Sequence, residues 1–236
     1  MEPKIIFEDE ELLILDKPSG WIVNDAQTVG EQPVVQKWLE ANFDYELSAE
    51  SELRSGIVHR LDKETSGILL VAKTQGSFDN LQAQFKNRQV EKSYQALIHG
   101  KLELKEGGIS VPVGRLPWRR DRFGVIPGGR ESETKYKAKG YFEFDKKVYT
   151  LVDLYPKTGR THQIRIHLKY LGHPIVSDTF YAGRKSARAD RKWCPRLFLH
   201  ASNISFEHPS QNKKVFFETA LPIELSQVLD KLTPID

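Results

Sequence analysis

Residues 67–73, GILLVAK, form an apolar run too short for a helix and rich enough in aliphatic residues for a buried strand, so this chain must build a core with sheet in it. The loop that feeds the run, HRLDKETSG at 59–67, ends in the polar turn Thr65-Ser66-Gly67 and sets Asp62 between the basic Arg60 and Lys63. A carboxylate that acts as nucleophile or base at neutral pH needs neighbouring cations to stay ionised once buried. Asp62 is therefore the first candidate for chemistry. The plainer alternative is a turn-capping aspartate beside a surface arginine. Residues 156–183, PKTGRTHQIRIHLKYLGHPIVSDTFYAG, weigh against it by repeating the mixture of Arg, His and Asp with glycines and few free apolar positions.

The remaining pattern is of strands in adjacent pairs with a few helices between. LLIL alternates with charge and breaks at Lys17-Pro18-Ser19-Gly20, which predicts a strand, a tight turn and a short strand over Trp21-Ile22-Val23. Helices are expected over 34–43, where Val35, Trp38 and Leu39 share a face, and over 77–88, with Ser77 as its cap. Residues 92–99 read as a strand, and 133–155 as a hairpin about Asp145-Lys146. A further helix at 163–171 stops at Gly172 and Pro174, strands follow at 197–206 and 214–218, and a last helix covers 223–231. The sum is an α+β fold with a largely antiparallel, mixed sheet and flanking helices. With no repeat, low-complexity tract or Pro/Ser-rich linker, one domain over residues 1–236 is the simplest division.

The chain carries 35 basic and 32 acidic residues, but unevenly. Residues 1–56 hold 13 acidic and 4 basic residues, a balance of −9, which leaves 57–236 at +12. Such a basic body suits a polyanionic partner, because each phosphate neutralised releases counterions. Two segments concentrate it, and both read as loops. RLPWRRDR at 115–122 offers Arg115, Arg119, Arg120 and Arg122 around Trp118, phosphate-pairing cations interleaved with a stacking surface. RKSARADRKWCPR at 184–196 adds six cations, beginning with Arg184 and Lys185. The alternative for both is a solvated basic loop with no dedicated ligand. The single Cys194 cannot form an internal disulfide, the acidic N-terminus does not resemble a signal peptide, and no apolar run approaches a membrane span, so the expected setting is the cytoplasm, without a membrane.

Taken together, HRLDKETSG at 59–67, EKSY at 91–94, GRTHQIRIH at 159–167 and LGHPIVSD at 171–178, in this order, resemble the RluA family of pseudouridine synthases. The resemblance runs from KPSGW at 17–21 to FLHAS at 198–202. It implies a pseudouridine synthase fold, with the active-site cleft across a mixed sheet. It also implies an isomerase that breaks the N1 glycosidic bond of a uridine, turns the uracil and rejoins it through C5. No atoms are gained or lost, so no metal or other cofactor is expected. By the same resemblance Asp62 is the catalytic aspartate, Arg165 pairs with it, and Tyr94 lies against the base and can take the C5 proton. Arg60 enters the space left by the flipped uridine, His59 braces the loop, and Arg160 joins the RNA-binding set. His173 and Asp178 are read as structural, and Ser177 stands where relatives usually have Gly.

Because KPSG begins at residue 17, the chain is expected to match short family members without the extra N-terminal RNA-binding domain. The substrate is a stem-loop of tRNA or ribosomal RNA, or both, and the expected state is a monomer with no obligatory protein partner. His162 and His167 are five apart and do not share a helix face, which argues against a metal site. The rival reading is a non-catalytic RNA-binding or folding factor on the same scaffold.

Overall fold

The computed structural model describes residues 1–26 and 29–236, Arg120 by its backbone alone. In chain order the elements are β1 (Lys4–Glu8), β2 (Leu12–Lys17), α1 (Val35–Asn42), β3 (Ser66–Ala72), α2 (Gln75–Lys86), β4 (Glu91–His99), β5 (Glu106–Ser110), β6 (Val113–Leu116) and β7 (Arg119–Val125). They continue with β8 (Glu133–Phe144), β9 (Lys147–Pro156), α3 (Gln163–Tyr170), α4 (Arg184–Asp190), β10 (Leu199–Glu207), β11 (Lys214–Glu218), α5 (Ile223–Leu229) and β12 (Thr233–Ile235). These form two compact units, Met1–Lys92 with Ala201–Ala220 and Ser93–His200 with Leu221–Asp236. The class is α+β with antiparallel strand pairs, as the sequence pattern predicts. No helix among the described residues is long and apolar enough to cross a membrane.

The first unit is ordered β1-β2-β3-β10, with β11 on β10. All seven residues of β3 are buried, which is why its aliphatics run without alternation. Ile68 and Leu70 pack with Leu12, Ile14, Leu81 and Phe206 in this unit's core. Each such side chain contributes about 1.5–3 kcal/mol. Two local expectations are corrected here. Trp21-Ile22-Val23 makes only an isolated bridge, Ile22 to Val34, because the carbonyls of Ile22 and Val23 take the amides of Val35 and Gln36 at the start of α1. The cap of α2 is Thr74, whose Oγ1 accepts the Ser77 amide at 3.2 Å, while the Ser77 hydroxyl turns to Glu11.

The second unit is ordered β4-β9-β8, with β12 and β5 each pairing a different stretch of β8. Asp145 and Lys146 both have positive φ, the backbone twist that a two-residue hairpin turn requires. Ile164, Leu168, Leu225 and Val228 bring α3 and α5 onto Leu97, Val152 and Leu154 of the sheet. Helix α3 ends where Gly172 takes φ +84°. The loop expected at 115–122 is a hairpin, and of 184–196 only the part from 191 onward lacks regular structure. Residues 115–122 lie in the β6–β7 hairpin, where Arg115 pairs with Phe123, and residues 184–190 form α4, which buries Ala187 and Asp190.

Candidate active site

Asp62 follows the buried Leu61 and is half-buried on a loop tied down at successive carbonyls. The Asp62 carbonyl accepts the Thr65 amide at 3.1 Å, that of Lys63 accepts the Gly20 amide at 2.8 Å, and that of Glu64 accepts the Ser19 hydroxyl at 2.8 Å. Lys17 is fully buried and donates from Nζ to the carbonyls of Pro18, Trp21 and Lys63 at 2.9, 3.0 and 3.3 Å. The KPSGW segment is therefore a clamp on the aspartate loop. Gly67 closes it, since a Cβ there would lie 2.2 Å from the Ala201 carbonyl oxygen. His59 accepts the Leu70 amide at Nε2, 3.0 Å away, and stacks on Phe85 at 5.2 Å. Burial, helped by the charge of Lys92, pushes its imidazole down to about 3, so it stays neutral and braces β3. Burial also lowers Lys92 to about 8, its Nζ 5.4 Å from the centre of the Phe85 ring. Arg60 is exposed.

Tyr94 and Arg165 belong to the second unit. Tyr94 lies on β4 opposite Leu154 and packs, half-buried, against the core. Arg165 is buried on α3, and its Nε and Nη2 donate to the two oxygens of buried Asp178, both at 2.8 Å. The Asp178 Oδ1 also accepts the amides of Phe180 and Tyr181, at 2.9 and 3.1 Å. The chain reaches this geometry through Ser177, held at φ +62°, a conformation that explains why glycine suits the position. Serine stays because its hydroxyl donates to the Cys194 carbonyl at 2.7 Å and its amide to Asp190 at 3.0 Å. At the head of α3, His162 takes φ +56° and shares a 2.9 Å hydrogen bond from Nδ1 with the Tyr181 hydroxyl. Gln163 ties the GRTHQ turn to the sheet by donating to the Glu133 carbonyl and to Thr134, both at 3.0 Å.

Around this fork lies a cluster of rings faced by guanidinium groups. Arg165 sits 5.3 Å from the centre of the Phe180 ring and 5.1 Å from that of Tyr181, Arg122 is 4.5 Å from Phe180, and Arg115 is 5.0 Å from Phe123. Of the RNA-binding candidates, Arg115, Trp118 and Arg119 are exposed on the hairpin, and Arg184 and Lys185 are exposed in the first turn of α4. Arg160 donates from Nε to the Glu131 carbonyl at 3.2 Å. The side chain of Arg120 lies outside the described residues.

The family model for RNA pseudouridylate synthase matches residues 11–170. This chain belongs to the RNA pseudouridylate synthase family. It is 38% identical to "Ribosomal large subunit pseudouridine synthase D" of Nitrosomonas europaea over 97% of this chain and 65% of that protein. It is equally similar, at 38%, to "Ribosomal large subunit pseudouridine synthase C" of Vibrio cholerae, over 98% of this chain and 70% of the relative. The chain thus spans about two thirds of the length of these relatives. Among solved structures it is similar to "Human RNA Pseudouridylate Synthase Domain Containing 1", with 26% identity, a TM-score of 0.72, and coverage of 99% of this chain and 89% of the other. The pseudouridine synthase fold and membership of this RNA-acting isomerase family, expected from the four motifs, are therefore established.

What the motifs did not reveal is the ring cluster. Phe123 lies on the hairpin and the adjacent Phe180 and Tyr181 lie more than fifty residues later, and no spacing links the two segments. The available signal was the aromatic pair directly after LGHPIVSD, in TFYAG.

Proposed function

We propose that this protein is an RNA pseudouridine synthase that isomerises specific uridines in a structured RNA, with residues 1–236 working as one catalytic domain. The observation that carries the reading is the family match across 11–170, which contains Asp62, Tyr94 and Arg165 in the family's order. Asp62 attacks the sugar or base, or assists departure of the base; Arg165 pairs with it and aims it; Tyr94 takes the proton from C5. Arg60 fills the stack vacated by the flipped uridine. The bidentate hold of Asp178 on Arg165 supports this assignment, because a guanidinium anchored on two of its nitrogens is a fixed electrostatic partner for a carboxylate.

Nothing in this chemistry consumes a cofactor. The protein works as a monomer in the cytoplasm without an obligatory protein partner. Two similar proteins carry the ribosomal large subunit in their names, so a ribosomal RNA stem-loop is the first substrate to test and tRNA the second. Mapping pseudouridines in total RNA with and without the gene identifies the position. Asp62→Asn lowers pseudouridine formation by at least about 10³-fold, with RNA affinity held within a few-fold. Retained turnover would reject the assignment in favour of a module that only binds RNA.

A further inference from the structure

A groove of about 480 Å³ lies between the β6–β7 hairpin and the outer face of α3. Leu116, Val125 and Ile166 contribute apolar surface to it. Its edges are three large rings left open to water, Trp118 at 74%, Tyr170 at 58% and Phe180 at 42% exposed. The exposed aromatics of the described residues are these three with Tyr155 and Phe216, so most of them border one groove. Concentration of open rings at one place marks a surface meant to be covered. The charges beside the rings say by what. Arg119, Arg122 and Lys169 line the groove, no carboxylate does among the described residues, and the exposed Asp121 pairs with the two arginines from beside it. The Arg122 guanidinium is held in place by the Phe180 ring at 4.5 Å and by a hydrogen bond to the Phe180 carbonyl.

Resting on the RNA-modifying function proposed above, we infer that this groove receives an unpaired nucleobase of the RNA other than the reacting uridine, on the rings of Trp118, Tyr170 and Phe180, while the cations hold the adjoining phosphates. Rings present faces that any base can stack on, and the polar groups here are phosphate binders that do not read base edges, so the site is tolerant of base identity.

The test measures binding of a short, unstructured, fluorescein-labelled RNA to the Asp62→Asn protein, in which binding is read without turnover. Trp118→Ala and Tyr170→Ala each weaken affinity by about ten-fold or more. Trp118→Phe restores most of the loss, and the dependence of affinity on salt keeps its slope because no cation has been removed. Oligoadenylate and oligocytidylate probes respond alike. Unchanged affinity in both alanine variants would overturn the inference and leave the groove to a protein partner, as would a loss that Trp118→Phe fails to recover. Absence of pseudouridine formation by the unmodified protein would instead reject the catalytic reading, and the binding result would stand apart from it.

Discussion

Two arginine–aspartate pairs in the second unit use the same chemistry and do opposite work. Arg165 and Asp178 are joined twice at 2.8 Å, with side chains 4% and 0% exposed, and the carboxylate also holds two backbone amides. Arg119 and Asp121 meet at 3.2 Å with side chains 56% and 63% exposed, two residues apart on one strand. The first pair is buried, so the attraction between the charges is little screened and losing either weakens the hold on its partner in a poor solvent. In the second, solvent and salt screen the attraction, and Arg119 can exchange its carboxylate for a phosphate. Burial, and not residue type, separates an arginine that positions from one that is available to a ligand.

Removing one side of the buried pair is the sharpest way to break this contrast. Asp178→Ala costs about 3–5 kcal/mol of stability in chemical denaturation, since buried Arg165 loses both hydrogen bonds of its carboxylate fork. A loss no larger than that of an ordinary surface substitution would show that the fork does not anchor α3. A second test moves the rule to groups buried without charge. Burial holds His59 near 3 and His167 near 4, with Lys92 adding to the first effect and the Val111 contact opposing the second. Below pH 6.5 the unfolded chain takes up protons that these folded imidazoles refuse. Stability is therefore complete above pH 6.5 and falls as pH drops towards 4, by up to about 1.4 kcal/mol per pH unit for each group. His59→Gln, which keeps an acceptor for the Leu70 amide, should flatten the slope in acid melts. The exposed pair gives the smallest effect. Asp121→Ala leaves the melting temperature unchanged, raises RNA affinity a few-fold, and steepens the salt dependence by about one phosphate as Arg119 is released.

Much of the fold was legible because local periodicity and punctuation agree with the final packing. GILLVAK reads as a buried strand and is one, Asp145-Lys146 makes the hairpin, and Gly172 stops α3. Misreadings arose where a long-range partner decided the matter. The WIV segment spends its carbonyls on α1, and RLPWRRDR reads as a loop because charge masks the alternation of two strands on which Arg115 and Arg122 lie over phenylalanine rings. The motifs placed Asp62, Tyr94 and Arg165 in the sequence, yet nothing in GRTHQIRIH says that the arginine is buried or that Asp178 grips it.

By itself the sequence determined the family and the sites of β2, β3, β4, the β8–β9 hairpin, β10, β11 and helices α1, α2, α3 and α5, because motif order and apolar spacing are properties of the chain alone. Tertiary structure decided that KPSGW clamps the aspartate loop, that His59 is neutral, that Ser177 can replace glycine, and that rings from three segments border one groove. Each of these depends on which atoms exclude water from which others, and residues far apart in sequence settle that only when they pack.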